Sequence, residues 1–257
     1  MIRFEKYQGT GNDFIMIDNR SSQIAEDVLS RVRFWCDRRF GIGADGVILI
    51  ENHSSADFEM VYYNSDGSQS FCGNGSRCAV LFARSLGIVQ DNAQFMAIDG
   101  MHEAKIDSEG RVHLKMADVH EIEESEDYFF IHTGSPHYIK YVNEVDKMDV
   151  VKEAKLIRYS AKYASEGTNV NFVGVGEDRL IVRTYERGVE DETLSCGTGV
   201  TAVALSAAGD EFGNYEALIQ TLGGTLEVSY DKVGENSFTN IFLIGPGVKV
   251  FEGVINE

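Results

Sequence analysis

"FCGNGSRC" at residues 71–78 places a cysteine directly before a Gly-Asn-Gly turn, and "SCGTG" at residues 195–199 repeats this arrangement. The two cysteines, Cys72 and Cys196, are 196 − 72 = 124 positions apart in a chain of 257 residues. After each turn a stretch of small and apolar residues runs to a glycine, Gly87 or Gly209, which predicts a helix in both halves. Each half therefore carries one cysteine at the start of a helix.

Apolar runs typical of strands flank both predicted helices. They occupy residues 2–7, 14–18, 47–51, 58–63, 94–98 and 111–116 in the first half, and 129–133, 138–142, 170–173, 180–185, 217–222 and 225–230 in the second. Aligning the cysteines pairs Gly73 with Gly197 and Leu81 with Leu205, so the halves share one plan. We predict an α/β (α+β) fold of two pseudo-symmetric lobes, each a mixed sheet wrapped around a central helix, with the active site between the lobes.

The acidic segment 118–127 is the predicted crossing between these lobes. The first lobe then spans residues 1–118 and carries Cys72, and the second spans residues 119–257 and carries Cys196. In this division the last strands are able to cross back to the first lobe.

Composition limits the class of protein and its partners. The 41 acidic residues outnumber the 23 basic ones, and the net charge of −18 disfavours phosphate backbones and anionic membrane surfaces. No apolar run approaches the ~20 residues that cross a bilayer, and the N-terminus does not resemble a targeting segment. We expect a cytoplasmic protein that binds neither nucleic acid nor membrane.

The four cysteines do not form a disulfide scaffold in a reducing compartment. Cys36 lies on the apolar stripe of a predicted helix with Trp35, and Cys78 lies on a second such stripe with Leu81, so both are predicted to pack in the core. Closely spaced Cys or His pairs, which zinc requires, are missing from the sequence, so no metal site is predicted. The other two cysteines, Cys72 and Cys196, are therefore the candidates for a catalytic role.

A cysteine followed by Gly-x-Gly at a helix start has a specific chemical use. The glycines let the backbone approach a ligand, and the unpaired N–H groups of the first turn bind an anion such as a carboxylate. The helix dipole also lowers the pKa of a thiol from about 8.5 toward neutrality. Two such helix ends that face each other would hold one carboxylate with a sulfur on each side of its α-carbon, which suits inversion of a stereocentre.

Six segments in order resemble the signature segments of the diaminopimelate epimerase family, and together they cover nearly the whole chain. They are "GTGNDFIMID" (9–18), "RRFGIGADGVILIE" (38–51), "YNSDGSQSFCGNGSRC" (63–78), "GSPHY" (134–138), "GTNVNF" (167–172) and "YERGVEDETLSCGTG" (185–199). The resemblance implies a cofactor-independent isomerase that interconverts LL- and meso-diaminopimelate, in lysine and peptidoglycan precursor biosynthesis. Its partner would be this small amino-acid substrate, and a homodimer is one assembly that it allows.

The resemblance also implies roles for individual residues. Cys72 and Cys196 would be the acid/base pair, assisted by His137 and Glu186. The substrate-binding set would comprise Asn12, Gly46, Asn64, Gly73, Asn74, Ser135, Asn169, Glu186, Arg187, Gly197 and Thr198. Within it, backbone amides would hold the carboxylate at the reacting centre, while Arg187 would meet the distal carboxylate and Glu186 an ammonium group.

The sequence departs from the family pattern in three places, and the first two remove or shorten polar contacts to the distal end of the substrate. Gly46 stands where many members carry Gln, Ser135 stands where Asn usually precedes Pro-His, and the stretch from Glu186 to Cys196 is one residue longer than the commoner form. Taken alone, Asn12 and Asn64 also suit turns, His137 a buried strand, and Glu186 with Arg187 a surface ion pair.

Other functions remain open at this point. One is another cofactor-independent racemase or epimerase on the same scaffold, of the proline racemase or phenazine-pathway type. A second is a redox protein that uses Cys72 and Cys196 as a dithiol, and a third is an amino-acid-binding protein without activity. Pyridoxal phosphate is not expected, because no motif contains a suitably placed lysine.

Overall fold

The computed structural model describes residues 1–22, 24 and 28–255. Its elements in chain order are β1 (Ile2–Gly9), β2 (Asn12–Asp18), α1 (Val28–Cys36), β3 (Gly46–Glu51), β4 (Phe58–Asn64), α2 (Gly73–Ser85), β5 (Asn92–Ala97), β6 (Gly100–Ile106), β7 (Val112–Lys115), β8 (Ile122–Glu124), β9 (Phe129–His132), β10 (Pro136–Tyr141), α3 (Val150–Arg158), β11 (Asn169–Val175), β12 (Leu180–Glu186), β13 (Asp191–Thr193), α4 (Gly197–Ser206), β14 (Gly213–Thr221), β15 (Gly224–Gly234), β16 (Ser237–Gly245) and β17 (Val248–Ile255). A single-turn 3-10 helix (Val145–Lys147) precedes α3.

The chain forms two compact units. Unit 1 contains Met1–Leu114 and Gly245–Glu257, and unit 2 contains Lys115–Ile244. The first lobe was predicted to end at residue 118, and the first segment of unit 1 ends four residues earlier (118 − 114). The last strand, β17, belongs to unit 1, where it pairs with β1. The segment 118–127 lies within unit 2.

Strand pairing follows the same order in both units. In unit 1, β1–β2 is antiparallel, β2–β3 parallel, β3–β4 antiparallel, β4–β5 parallel and β5–β6 antiparallel. In unit 2, β9–β10 is antiparallel, β10–β11 parallel, β11–β12 antiparallel, β12–β14 parallel and β14–β15 antiparallel. The helices also correspond, because α1 and α3 join the first parallel pair and α2 and α4 join the second. The predicted two-lobed mixed α+β architecture is confirmed.

Each unit encloses one helix within its strands. Helix α2 packs against β1 to β4, and α4 packs against β9 to β12, β14 and β15. Strands β3 and β11 are buried along nearly their whole length because helices cover both of their faces. This explains the continuous apolar run of β3, whereas β11 places two amides, Asn169 and Asn171, among its apolar residues. The opposite faces pack against α1 and α3, where the clusters around Trp35 and Phe172 lie.

The two enclosed helices begin with the paired cysteines. Cys72 is the N-cap of α2 and Cys196 the N-cap of α4, each in an extended conformation. Helix α2 ends just before Gly87, which has a φ of +72° and continues the chain in the left-handed region. Helix α4 ends at Ser206, slightly before the predicted Gly209. The predicted helix starts are therefore confirmed.

Cys36 and Cys78 are core residues, as predicted. Their exposed fractions are 5% and 0%, and burial raises the pKa of both thiols to about 12. No disulfide links any of the four cysteines. Within the described ranges, no helix combines the length and apolar character needed to span a bilayer.

Candidate active site

In unit 1, three of the predicted site residues meet at the start of α2. The Sγ atom of Cys72 lies 3.5 Å from Oδ1 of Asn12 and accepts a hydrogen bond from the Gly75 N–H at 3.4 Å. The side-chain amide of Asn74 donates to the same Asn12 oxygen at 3.4 Å. The sulfur thus has an acceptor for its proton in the thiol form and a backbone donor for its charge in the thiolate form.

A carboxylate fixes the orientation of the Asn12 amide. Nδ2 of Asn12 donates to Asp45 at 2.6 Å, so the amide oxygen must point to Cys72. Asp45 in turn accepts from Arg38, and Arg38 also binds Asp13, whose second partner is the buried amine of Lys6. These two cations hold the pKa of Asp13 near 2 against the effect of burial.

Gly46 and Asn64 are paired across β3 and β4. A Cβ atom on Gly46 would lie 2.4 Å from the Tyr63 carbonyl and 2.5 Å from the Tyr62 ring, so the aromatic ring fills the space of a side chain at this position. Asn64 donates through Nδ2 to Ser68 and Ser70 in the turn that precedes Cys72. In the structure, Gly46 offers only its backbone and Asn64 organises a turn.

In unit 2, a buried polar network surrounds His137. Its Nε2 lies 2.9 Å from the hydroxyls of Ser135 and Thr198, and its Nδ1 lies 3.1 Å from Nδ2 of Asn171. Asn171 also donates to the Tyr138 carbonyl at 3.0 Å and accepts from Thr184 at 2.9 Å. The surrounding strands therefore hold both ring nitrogens of His137.

These contacts determine the imidazole tautomer. The Tyr138 carbonyl and the Thr184 hydroxyl fix the Asn171 amide so that its NH₂ group faces Nδ1 of His137. Because Nδ1 then accepts, the proton of the neutral ring is on Nε2 and donates to the hydroxyl pair. Burial lowers the pKa of His137 to about 3, with a further contribution from electrostatic interaction with His132 and Arg187.

The hydroxyl pair connects His137 with Cys196. Ser135 Oγ accepts from Asn169 Nδ2 at 3.1 Å and lies 3.0 Å from Thr198 Oγ1, which is 3.5 Å from Cys196 Sγ. These contacts are consistent with a chain of hydrogen bonds in which Asn169 donates to Ser135, Ser135 donates to Thr198, and Thr198 donates to the sulfur of Cys196. In this arrangement both hydroxyl oxygens also accept the Nε2–H of His137, and Thr198 directs its O–H at Cys196.

Asn169 also orders the turn that carries Glu186 and Arg187. Its Oδ1 accepts from the Arg187 N–H at 2.9 Å, and the exposed Arg187 side chain donates to the Glu166 carbonyl at 2.9 Å. Glu186 ends β12 and accepts from Thr193 at 2.5 Å. Hydrogen bonds thus connect six of the predicted site residues of unit 2, namely Ser135, His137, Asn169, Arg187, Cys196 and Thr198, and Glu186 precedes Arg187 in the chain.

Two residues that organise these clusters were missed by sequence reasoning, Asp45 in unit 1 and Asn171 in unit 2. Asn171 occupies a buried position of β11 between Val170 and Phe172, and an amide in such a run is the signal that could have identified it. Among the described residues, no group of three or more His, Cys, Asp or Glu side chains is arranged to hold a metal ion.

The architecture is shared with several solved enzymes and biosynthetic proteins. A Bacillus anthracis phenazine biosynthesis protein of the PhzF family matches with a TM-score of 0.76 at 13% identity, covering 99% of both chains. A hydroxyproline epimerase from Agrobacterium vitis matches at 0.69 and 15% identity, covering 98% of this chain and 90% of the epimerase. A probable proline racemase from Agrobacterium radiobacter matches at 0.68 and 16%, covering 100% and 93%. The fold is therefore that of the two-lobed racemases and epimerases.

Comparison of amino-acid sequences identifies one family within this class of proteins. The model of the family described as diaminopimelate epimerase matches residues 4–121 and 129–250. Proteins named diaminopimelate epimerase are 51% identical in Flavobacterium psychrophilum, covering 99% of this chain and all of the relative, and 41% identical in Chlorobaculum tepidum, covering 96% and 98%. The chain belongs to the diaminopimelate epimerase family and is an isomerase of the epimerase type.

Gly199 allows α4 to approach the His137 network, and this gives a stability prediction. A Cβ atom there would lie 2.6 Å from Oδ1 of Asn171, which cannot move without losing its other hydrogen bonds. Gly199→Ala should destabilise the protein by about 1–3 kcal/mol despite the helix preference for Ala. Gly209→Ala is the control, because the nearest atom is the hydroxyl at the end of the Tyr215 side chain, 3.3 Å away, so that only a small displacement would be needed. Equal melting temperatures for the two variants would contradict the packing argument.

The neutral state of His137 gives a pH prediction. In the unfolded chain a histidine binds a proton below about pH 6.5, whereas folded His137 binds one only near pH 3. The free energy of unfolding should therefore fall with acidification by up to about 1.4 kcal/mol per pH unit between these values. His137→Gln should reduce this slope in urea unfolding between pH 6 and pH 4. Parallel pH profiles for the parent and the variant would show that His137 titrates normally.

Proposed function

We propose that the chain interconverts LL- and meso-diaminopimelate by moving the α-proton between two cysteine sulfurs. The observation that carries this proposal is that Cys72 and Cys196 each cap the N-terminus of a buried helix. The thiolate of one cysteine removes the α-proton, and the thiol of the other delivers a proton to the opposite face. Atoms balance, because one sulfur gains the proton that the substrate loses and the second supplies its replacement.

Backbone amides at the two helix starts stabilise the intermediate. The α-proton of an amino acid is weakly acidic, so the negative charge that spreads onto the carboxylate needs fixed donors. The N–H groups of Gly73, Asn74, Gly197 and Thr198 belong to first turns, where backbone donors have no intrahelical acceptor. These amides and the positive helix ends together account for proton removal without pyridoxal phosphate.

We propose that His137 orients the site rather than carrying a proton. Its Nδ1 is occupied by Asn171, and its Nε2–H donates to the hydroxyls that reach Cys196. A neutral, fully buried ring in this position keeps the Thr198 hydroxyl directed at the sulfur. The thiol and thiolate forms of Cys196 are then both hydrogen-bonded, which a reversible reaction requires.

The remaining polar residues bind the rest of the substrate in this proposal. Asn12 and Asn169 supply amides, Glu186 accepts from an ammonium group, and Arg187 pairs with the distal carboxylate. Ser135 is tied to His137 and Thr198, so it acts through the cysteine side of the site. Gly46 and Asn64 contribute through the backbone and the turn before Cys72.

The family name further suggests a place in lysine biosynthesis, and we propose that the reaction takes place in the cytoplasm. The substrate is a small zwitterionic amino acid, and the excess of acidic residues argues against a nucleic-acid partner.

The proposal is tested by incubating the reduced protein with LL-diaminopimelate in D₂O without added cofactor. Meso product should carry deuterium at the inverted centre, while recovered substrate stays largely protiated, because reversal returns its own hydrogen from the sulfur that took it. Cys72→Ala and Cys196→Ala should each abolish inversion, whereas Cys36→Ala, the buried control, should retain it. Early deuterium in recovered substrate, or inversion by either active-site variant, would reject the two-sulfur mechanism.

Arg187 gives a prediction for recognition of the distal carboxylate. Arg187→Ala should raise KM at least tenfold, because loss of a charge-assisted hydrogen bond costs about 2 kcal/mol. Arg179→Ala is the matched control, since Arg179 is paired with its neighbour Asp178 in the turn between β11 and β12. Steady-state kinetics that are the same for both variants would place Arg187 outside the binding site.

A further inference from the structure

Arg77 is a fully buried cation in the second turn of α2. Its exposed fraction is 0%, and its guanidinium donates to the Pro246 carbonyl at 3.2 Å, the Gly73 carbonyl at 3.4 Å and the Thr10 hydroxyl at 3.3 Å. All three acceptors are neutral, and no carboxylate in the described part of the chain forms an ion pair with Arg77. A buried charge without a counter-ion is costly.

The position within the helix increases this cost. The N-terminal end of a helix carries a partial positive charge, which favours anions and disfavours cations. The first turn of α2 contains no acidic residue, so the charge of Arg77 adds to the helix dipole. This end of α2 therefore has two positive contributions and needs a negative group.

The groups that face α2 from its neighbouring strands do not supply that negative charge. On β1, Glu5 is paired with Lys249, and the pKa of Tyr7 is raised to about 12, mainly by burial. Strands β2, β3 and β4 turn toward α2 a set of apolar or uncharged side chains, namely Asn12, Phe14, Met16, Ile48, Ile50, Met60 and Tyr62. The cluster reached through Asn12 balances two cations, Lys6 and Arg38, with two carboxylates, Asp13 and Asp45.

Among the described residues, two thiols lie on the same helix as Arg77 and act on its charge. Cys78 is the next residue in the chain, and Cys72 is the N-cap, directly before the Gly73 carbonyl that Arg77 binds. Cys78 is completely buried, and burial raises its pKa to about 12, so it remains a thiol at neutral pH. Cys72 lies at the end of the helix, is partly exposed, and already accepts the Gly75 N–H. Ionised Cys72 would therefore provide the missing negative charge.

We propose that Arg77 is a positioning residue whose buried charge favours the thiolate form of Cys72. The same guanidinium acts on the adjacent peptide group. Its Nη1 donates to the Gly73 carbonyl, which belongs to the same peptide unit as the Asn74 N–H. Polarisation of that unit makes the N–H a stronger donor to an anion. The second effect rests on the proposed function, in which this amide binds the substrate carboxylate, but the first does not.

The structural alternative is that Arg77 only ties segments together. Its hydrogen bonds do connect the turn after β1, the first turn of α2 and the residue before β17. Arg77→Lys keeps the charge with fewer donors, whereas Arg77→Gln keeps a donor without the charge. This pair of variants separates the electrostatic contribution from the structural one.

The experiment measures alkylation of Cys72 by iodoacetamide from pH 5 to pH 10, resolved by peptide mass spectrometry, with buried Cys36 as the unreactive reference. Only the thiolate reacts, so the rate reports ionisation directly. Arg77→Gln should move the pH midpoint up by about one unit, equivalent to about tenfold slower alkylation at pH values well below both midpoints, and Arg77→Lys should restore the parent midpoint. An unchanged midpoint in Arg77→Gln, or an equal shift in both variants, would overturn the proposal.

A second measurement does not depend on whether the Arg77 variants fold. If the folded protein favours ionised Cys72, the parent should gain thermal stability relative to Cys72→Ser as pH rises from about 6 to 8.5, because the unfolded thiol ionises only near pH 8.5. A difference in melting temperature that does not grow over this range would contradict preferential ionisation. Neither measurement requires diaminopimelate, so both remain decisive if the protein proves to act on another substrate.

Discussion

Enclosure of a helix start within a sheet is the constraint on which the rest of this structure depends. The first backbone N–H groups of a helix have no intrahelical acceptor, and burial makes them costly unless a partner is present. Cys72 and Cys196 occupy the capping positions of α2 and α4, where a sulfur is a weak acceptor compared with the hydroxyls and carboxylates that usually cap helices. Each unit thus presents donors that a substrate carboxylate is able to satisfy.

The two units share their strand order but support their sulfurs with different chemistry. In unit 1 a carboxylate, Asp45, orients Asn12, whose amide oxygen accepts from Cys72. In unit 2 a neutral imidazole, His137, donates to hydroxyls and thereby directs a donor toward Cys196. In the proposed mechanism the two cysteines exchange the roles of acid and base with the direction of the reaction, and each unit supplies its sulfur with a hydrogen-bond partner of its own kind.

Glycine serves packing at positions where the sequence suggested access for a ligand. A side chain on Gly75 would meet Ile48 at 2.9 Å, and one on Gly199 would meet Asn171 at 2.6 Å. At Gly46, the ring of Tyr62 fills the volume that a longer residue would use. Gly75 and Gly199 follow one principle, because a helix that is covered on all sides must approach its neighbours more closely than a Cβ atom permits, whereas the space at Gly46 is taken up by the paired strand.

The sequence by itself determined the two helices that follow the cysteines and the buried strands beside them, because apolar periodicity and helix-start signals are local. It also determined the family, because the signature segments are continuous stretches of the sequence. Strand β6, with its polar GMHEAKI sequence, was not predicted, since a half-exposed strand of polar residues shows little local pattern. Helix α3 was also not predicted, although its Asp149 N-cap and the helical spacing of Val150, Ala154 and Ile157 are local signals that could have identified it. Only the tertiary structure decided the roles of Asp45, Arg77 and Asn171. Their hydrogen bonds join residues that are distant in sequence, and a buried polar group is defined by partners that no local pattern reveals.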